Sequence, residues 1–457
     1  MSSQSNFRSY LREFSKSKSG MAGLIMLMVL LIISLYVLAA YPSSIGNTWN
    51  NPKTWQAYPP NSPPSWLGIF SSSYPPTIVF EDQQWSTFTQ SGSFYNYSNE
   101  YSFSWSSPKA ASNLIFTPDF NGSIVGAFIT WTKPDGNSIQ ISIGNPNSEL
   151  QYSAASPSVM PWIRQFLSSQ TGATLSTVTL PEEMAALFAQ DGPNILNGPV
   201  LTGTYHVRVN FLSQSPVTIS PSTYLSVNGK SYGAMGTDLY GRPIQLGILL
   251  GLPWALELGA LTSIIAVLFG VIFGGISGFV GGTKDGVMQW GTLVFLALPA
   301  LPFLIALSYS VTLSLVLEAL LIAALSWPFY AIIARSVALS VRSQTYVEAD
   351  KAMGISSIRT FFTHFMPRLT PVSIAYTALG IPAGILLAQT LAFIGIQPPN
   401  IVTWGGLLDD AFVQQAAEFG WWWWVLFPGL MIVVAAIPFV LVGFALDKIV
   451  APKVSAK

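Results

Sequence analysis

The sequence has no cysteine and only two histidines in 457 residues. Without thiols there is no disulfide and no thiolate ligand for zinc or an iron–sulfur cluster. His206 and His364 alone do not build a histidine-rich metal site. Charge is scarce too: Asp, Glu, Lys and Arg make up 9% of the chain and cancel, 20 against 20. That balance leaves no electrostatic footprint for nucleic acid. A Gly-x-x-x-x-Gly-Lys-Ser/Thr loop, which cradles nucleotide phosphates, is also missing. What the chain has in abundance is hydrophobic residues, 50% of the total, arranged in long uncharged runs. This combination marks an integral membrane protein with a polar portion, not a soluble enzyme, and no cofactor is expected.

Residues 1–19 carry Arg8, Arg12, Lys16 and Lys18 against Glu13, and Met21 to Ala40 is then 20 residues without charge. Leu38-Ala39-Ala40 resembles a signal cleavage site. The run is nevertheless too long for a signal peptide's apolar region and long enough to cross about 30 Å of hydrocarbon. The expectation is an uncleaved first transmembrane helix over 20–41, behind a cytoplasmic tail at 1–19, because positive flanks stay inside.

From 42 to 245 the composition shifts to Pro, Ser, Asn, Tyr and Trp, with seven Lys or Arg against ten Asp or Glu. No stretch there could span a bilayer, and the acidic excess reverses the N-terminal bias, which fits an extracytoplasmic insert. Much of it reads as β. Tyr205, Val207, Val209 and Phe211 alternate with polar residues, as a half-buried strand requires. Asn228-Gly229 after Tyr224-Leu-Ser-Val is a hairpin signal, and Asp135-Gly136 is a second turn. Thr179-x-x-Glu182 is a capping box opening a helix to about Gln190, and Pro161 to Leu167 reads as another helix. Asn96-Tyr-Ser98 and Asn121-Gly-Ser123 are glycosylation sequons, usable only if the region faces outward in an organism that glycosylates. The many Trp and Tyr rings could stack sugars or peptides, but core and interface packing is the simpler account. Neither a nucleophile–base constellation nor metal-ligand spacing occurs in the insert.

The C-terminal part, 246–450, is a membrane core. Glu257 to Lys284 encloses 26 uncharged residues and Asp285 to Glu318 encloses 32. Proline and glycine punctuation divides the region into spans near 254–280, 286–310, 313–335, 370–394 and 424–446, six with the first. An even number returns the C-terminus to the cytoplasm, where Lys448, Lys453 and Lys457 agree; Arg335, Arg342, Lys351, Arg359 and Arg368 put the loop after the fourth span on the same side. Gly270-Val-Ile-Phe-Gly274 and Gly274-Gly-Ile-Ser-Gly278 allow close helix packing. Trp421 to Trp424 reads as an aromatic belt at the outer interface. Glu257 and Glu318 fall at or near spans, where an acid is either functional or snorkelling from a helix end.

Between the apolar runs lies one polar, helix-compatible loop, 340–368. Tyr346-Val347-Glu348-Ala349-Asp350-Lys351-Ala352-Met353-Gly354 reads as a short helix stopped at Gly354, and a second helix is expected from Ile355 through Phe362 towards Pro367. The loop resembles the "EAA" coupling loop of ATP-binding-cassette (ABC) importer permeases, with Glu348-Ala349, Gly354, Ile355 and Met366-Pro367 in place and Asp350 where a second Ala is usual. Further blocks resemble the second permease subunit of dipeptide/oligopeptide-type importers. These are Gly236-Thr237-Asp238-Leu-Tyr-Gly241-Arg242, followed by Pro243 in place of an Asp; Ser326-Trp327-Pro328 with Arg335; Leu391-Ala-Phe-Ile-Gly395 with Gln397-Pro398-Pro399 and Trp404-Gly405; and Phe427-Pro428-Gly429. In that family Trp-Leu-Gly runs directly into Thr-Asp; here Trp66-Leu67-Gly68 is parted from Thr237-Asp238 by the insert.

The resemblance implies an all-α membrane protein of the type I ABC importer permease fold with six transmembrane helices, and a β-rich extracytoplasmic insert between the first two. It implies a transport subunit in the cell membrane, not an enzyme, with both termini cytoplasmic. The implied partners are a sister permease, two ABC ATPases, an external substrate-binding protein and the lipid bilayer. Peptides or oligosaccharides would be the cargo; nickel, carried by some relatives, is disfavoured by the scarcity of His and Cys. The insert would serve as a docking surface for the binding protein. Two other classes stay open: a membrane-anchored receptor or binding module acting through the insert, and a secondary transporter, against which the lack of paired charges in mid-span argues.

Overall fold

The computed structural model describes residues 13–450, apart from 43, 82–84, 86, 92, 149, 155, 174–178 and 309–312. Arg8, Arg12, Lys453 and Lys457, expected to orient the two ends, lie outside the described residues. The chain divides into two units, one comprising 1–50 and 246–457 and the other 51–245.

Helix α1 (Lys18–Ala40) begins at Ser17, whose hydroxyl accepts from the Gly20 N–H. Its outward residues are apolar and exposed, Ile25, Ile32 and Leu35 among them, as expected of a helix solvated by lipid.

The unit 51–245 contains strands β1 (Ile78–Phe80), β2 (Thr87–Ser91), β3 (Phe94–Trp105), β4 (Asn113–Thr117), β5 (Phe120–Asn121), β6 (Ile124–Thr132), β7 (Ser138–Gly144) and β8 (Tyr152–Ser153). Helices α2 (Met160–Thr171) and α3 (Leu180–Phe188) follow, then β9 (Gly203–Ser213), β10 (Thr218–Ile219) and β11 (Tyr224–Asn228). The strands pair in the orders β2-β3-β9-β6-β7, β1-β11-β4-β8 and β10-β5. The alternation at 205–211 is β9, with Tyr205, Val207, Val209 and Phe211 all fully buried. Phe103 stacks on Tyr205 at 5.3 Å, and Trp131 and Phe188 pack around them, so aromatic rings fill the centre of this core. The Asp135-Gly136 turn joins β6 to β7, with Gly136 at φ 88. The hairpin expected at Asn228-Gly229 does not form. β11 pairs instead with β1 and β4, which are distant in sequence, and neither Asn228 nor Gly229 has positive φ. Thr179 and Glu182 form the capping box of α3.

The two ends of this unit lie against each other. Ser65 N–H donates to Gly233 O at 2.8 Å, Thr237 N–H to Ser62 O at 2.8 Å and Asn61 N–H to Asp238 O at 2.7 Å. Thr237 Oγ1 donates to Pro59 O at 2.6 Å and accepts from Ser62 N–H. Asp238 is fully buried; its carboxylate binds the Arg242 side chain and accepts from the Tyr240 and Arg242 N–H groups. Gly241 sits at φ 82 with Trp55 O so near that a Cβ would lie 2.7 Å from it, so glycine is required there.

The remaining helices are α4 (Ile244–Val280), α5 (Gly282–Ala297), α6 (Ala300–Ser308), α7 (Leu315–Arg342), α8 (Thr345–Ala352), α9 (Met366–Phe393), α10 (Trp404–Val413) and α11 (Trp422–Val450). Among the described residues, five helical stretches are long and apolar enough to cross a membrane, and up to six if the bent pair α5 and α6 counts as one. That pair turns by 73° where the sequence suggests one straight span over 286–310. Leu298 is extended, at ψ 130, because Pro299 follows it and disfavours the helical conformation. The glycine row works as the sequence suggests. A Cβ on Gly270, Gly274 or Gly278 would come within 2.6, 2.0 or 2.7 Å of the carbonyl oxygens of Trp327, Ala331 and Arg335, so α4 and α7 meet backbone to backbone. At one end of this contact Asp285 receives Arg335 Nε and Nη2, each at 2.7 Å, and the Ser277 hydroxyl. The aromatic belt is narrower than expected: Trp423 and Trp424 are buried, while Trp422 is exposed. Glu257 is exposed and Glu318 buried, with Oε2 of Glu318 lacking a partner among the described residues.

Glu183 in α3 is fully buried, and neither carboxylate oxygen has a partner among the described residues. Burial raises its pKa from 4.5 to about 7, with Arg164 opposing the rise. The folded chain therefore keeps a proton that the unfolded chain releases between those values, and stability falls as pH rises through that window and levels off above it. Glu183→Gln should remove this part of the pH dependence. Thermal melting of both proteins from pH 5 to 8 checks it, and an identical pH slope in the two would contradict it.

Candidate functional site

The polar loop 340–368 folds as an elbow. Helix α8 ends in a Schellman cap: Ile355 N–H donates to Asp350 O at 3.0 Å and Gly354 N–H to Lys351 O at 3.1 Å, with Gly354 at φ 73. Space is not the reason for glycine, since a Cβ there would touch nothing within 4 Å. The left-handed backbone is the reason, and it costs a branched side chain about 1–2 kcal/mol. Ser356 caps the next turn, Ser357–Thr360, by accepting from Arg359 N–H. That turn runs through a π-helical stretch, Phe361–Phe365, into α9. The second helix thus starts two residues later than Ile355 and does not stop near Pro367. Pro367 stands in the first turn of α9, where its missing N–H costs nothing.

The elbow has two faces. On the inner one, Val347 and Phe365 are buried in a core with Val341 and Leu369, and Tyr346 packs beside it. The Tyr346 ring lies 4.9 Å from that of His364. Asp350 is also buried; its Oδ2 accepts from Thr360 Oγ1 at 3.1 Å and lies 3.0 Å from His364 Nε2. This pair ties the two limbs together. A structural acid was expected at Glu348, but Glu348 is exposed and Asp350 fills that role. Asp350 at the usual Ala position and His364 downstream were both visible in sequence; only folding shows that they meet. On the outer face Ala349, Ala352 and Pro367 are exposed and Ile355 half-buried. Met353, Ile358 and Phe362 stand 69%, 73% and 63% exposed, an apolar crest on a polar loop.

The other blocks singled out in sequence serve packing. Trp404 is fully buried, and its indole donates to Ile248 O at 2.9 Å. A Cβ on Gly405 would come within 2.2 Å of Gln389 O, so α10 meets α9 at its backbone. Asn121 is exposed on β5, whereas Asn96 lies within β3, between β2 and β9, with Oδ1 buried. Among the described residues no group of three or more His, Cys, Asp or Glu could hold a metal ion.

Residues 267–456 match the family model of the binding-protein-dependent transport system inner membrane component. A probable D,D-dipeptide transport system permease protein of Escherichia coli (strain K12) is 33% identical over 224 residues, covering 49% of this chain and 74% of that one. The chain belongs to the peptide-type ABC importer permeases. A dipeptide transport system permease protein of Alkalihalophilus pseudofirmus is 28% identical over 319 residues, 68% of this chain and 95% of the relative. An oligopeptide transport system permease protein of Haemophilus influenzae is 29% identical over 226 residues, 49% and 71% of the two chains. As a permease of this family the chain is a multi-pass membrane transporter and not an enzyme.

The lock inside the elbow can be tested alone. Asp350→Ala and His364→Ala should each loosen it by about 1–3 kcal/mol, the range for hydrogen bonds to charged groups. Gly354→Val should do so through its backbone, while Gly354→Asn should be mild. Hydrogen exchange at 345–365 reads the change, and unaltered protection in all four variants would count against the lock.

Proposed function

We propose that this permease is one half of the membrane pathway of an ATP-driven importer, and that the 340–368 elbow is where an ATPase grips it. The observation that carries this reading is the apolar crest of Met353, Ile358 and Phe362 on a base locked by Asp350 and His364. Exposed apolar residues on a rigid polar loop suit insertion into a partner's groove. A push there passes into α9 without a break, through the π-helical turn. The site residues are thus Tyr346, Val347, Asp350 and Ile355 as the base, Gly354 as the corner, Pro367 as the start of the lever, and Glu348, Ala349, Ala352 and Met353 on the outer face.

In this reading the chain makes six spans, with α5 and α6 forming one bent span. Both termini and the elbow lie in the cytoplasm, and 42–245 forms a β-rich domain outside. Orientation rests on Arg335, Arg342, Lys351, Arg359 and Arg368 near the elbow and on the acidic excess of 42–245. A sister permease completes the pathway, two ABC ATPases supply the work, and an external binding protein delivers cargo. Peptides are the first choice of cargo, since the relatives are named for D,D-dipeptides, dipeptides and oligopeptides; oligosaccharides are the second. Asn121 is the better placed sequon for glycosylation. A receptor acting through 42–245 is the second reading, and the aromatic core of that region supports it.

Purification in mild detergent should bring down two ATPases and a sister permease. Glu348→Ala should leave assembly intact and lower transport-coupled ATP hydrolysis. Ile358→Asp should weaken ATPase retention about tenfold, the loss of one interface anchor. A chain that purifies without any ATPase would shift the assignment to the receptor, and unchanged coupling in both variants would remove the elbow from the mechanism.

A further inference from the structure

The unit 51–245 has an open cleft of about 620 Å³, within the range of small-ligand sites. Three stretches line most of it: 55–62, the strand ends at Asn113 and Asn228, and Leu239–Tyr240. Asn113 and Asn228 are direct partners across the β4–β11 ladder, so their side chains share one face.

The chemistry of the lining is one-sided. Gln56, Asn61, Asn113, Gln151 and Asn228 bring five carboxamides, Lys230 brings the single charged side chain, and no carboxylate lines the cleft. Asn61 is the most telling of these. Its backbone is left-handed at φ 51, fixed by its N–H bond to Asp238 O. Its Oδ1 is buried and has no partner among the described residues. An acceptor left so costs about 1–3 kcal/mol, and a ligand N–H would remove that cost. Beside it, Tyr240 is 43% exposed and is steadied by the Arg242 guanidinium 4.8 Å from its ring centre. Tyr74 is exposed as well.

We propose that this cleft binds an extended, uncharged stretch of peptide, its main chain paired by the carboxamides and its side chains packed on Tyr74 and Tyr240. Each carboxamide offers one acceptor oxygen and one donor NH₂, and a peptide main chain presents the complementary C=O and N–H at regular spacing. Lacking acids, the cleft holds nothing to select a charged terminus. Choosing peptide over sugar rests on the peptide-importer reading; the existence of a neutral-ligand site does not. The permease would then hold cargo itself, in addition to any delivered by a separate protein.

The test uses the full chain in lipid nanodiscs, titrated with an N-acetylated, C-amidated hexaalanine carrying one tyrosine and followed calorimetrically. Saturable binding is expected. Asn61→Gly, which keeps the left-handed backbone, and Tyr240→Ala should each weaken it about tenfold, equivalent to about 1.4 kcal/mol. Gln56→Ala, at an exposed position, serves if either variant melts early. Absence of saturation, or variants that bind as the parent does, would overturn the site. Saturation by maltohexaose and not by peptide would overturn the peptide assignment. No ATPase or sister permease is needed, so failure here and failure of the importer reading are separate results.

Discussion

Hydrocarbon offers no partner to a peptide N–H or C=O, and the architecture of this permease starts from that constraint. Wherever the chain crosses the bilayer it must be helical, and its polar residues are driven to helix ends, loops or a separate unit. The few charges that remain near the spans are paired tightly: Asp285 meets Arg335 through two parallel hydrogen bonds and takes a third from Ser277. The 51–245 unit obeys different rules. There water satisfies the edges, and the core is built by alternating strands around Tyr205, Phe103 and Trp131.

Two polar devices give the molecule its functional shape. One is the elbow, where a left-handed glycine turns the chain and a buried acid holds both limbs. The other is the ladder between 59–65 and 233–242, where buried Asp238 collects its bonds from Arg242 and Tyr240. Trp66-Leu67-Gly68 and Gly236-Thr237-Asp238 are far apart in sequence, yet the Trp66 indole donates to Ala234 O at 3.0 Å. The family's contiguous block is thereby reassembled in space although a domain interrupts it in the chain.

The spans were legible because lipid-facing helices need long uncharged runs, and the elbow because it is the one polar helical segment between such runs. β9 was legible from its period of two. The failures share a cause: each depends on a partner that sequence spacing does not reveal. Asn228-Gly229 carries hairpin chemistry, but β11 is claimed by β1 and β4. Four adjacent tryptophans suggest a belt, but helix α11 turns two of them inward. Glu348 looked like the structural acid because the motif names it, whereas burial chose Asp350. The break at Leu298 was readable from Pro299, since the residue before proline resists the helix; a straight span was expected because the apolar run continues across it.

The glycine row deserves a mechanical reading. Where Gly274 meets Ala331 with no side chain between them, two helices share one surface of backbone atoms. Such a seam has no knobs to ratchet past one another, and sliding by a turn would drive Trp327 or the Asp285 ion pair into the glycine face. Helices α4 and α7 therefore behave as a single beam. Bending must concentrate where the backbone already departs from the helix, at Leu298 and at Met353 to Ser356, so the stiffest part of the permease determines where its joints can be.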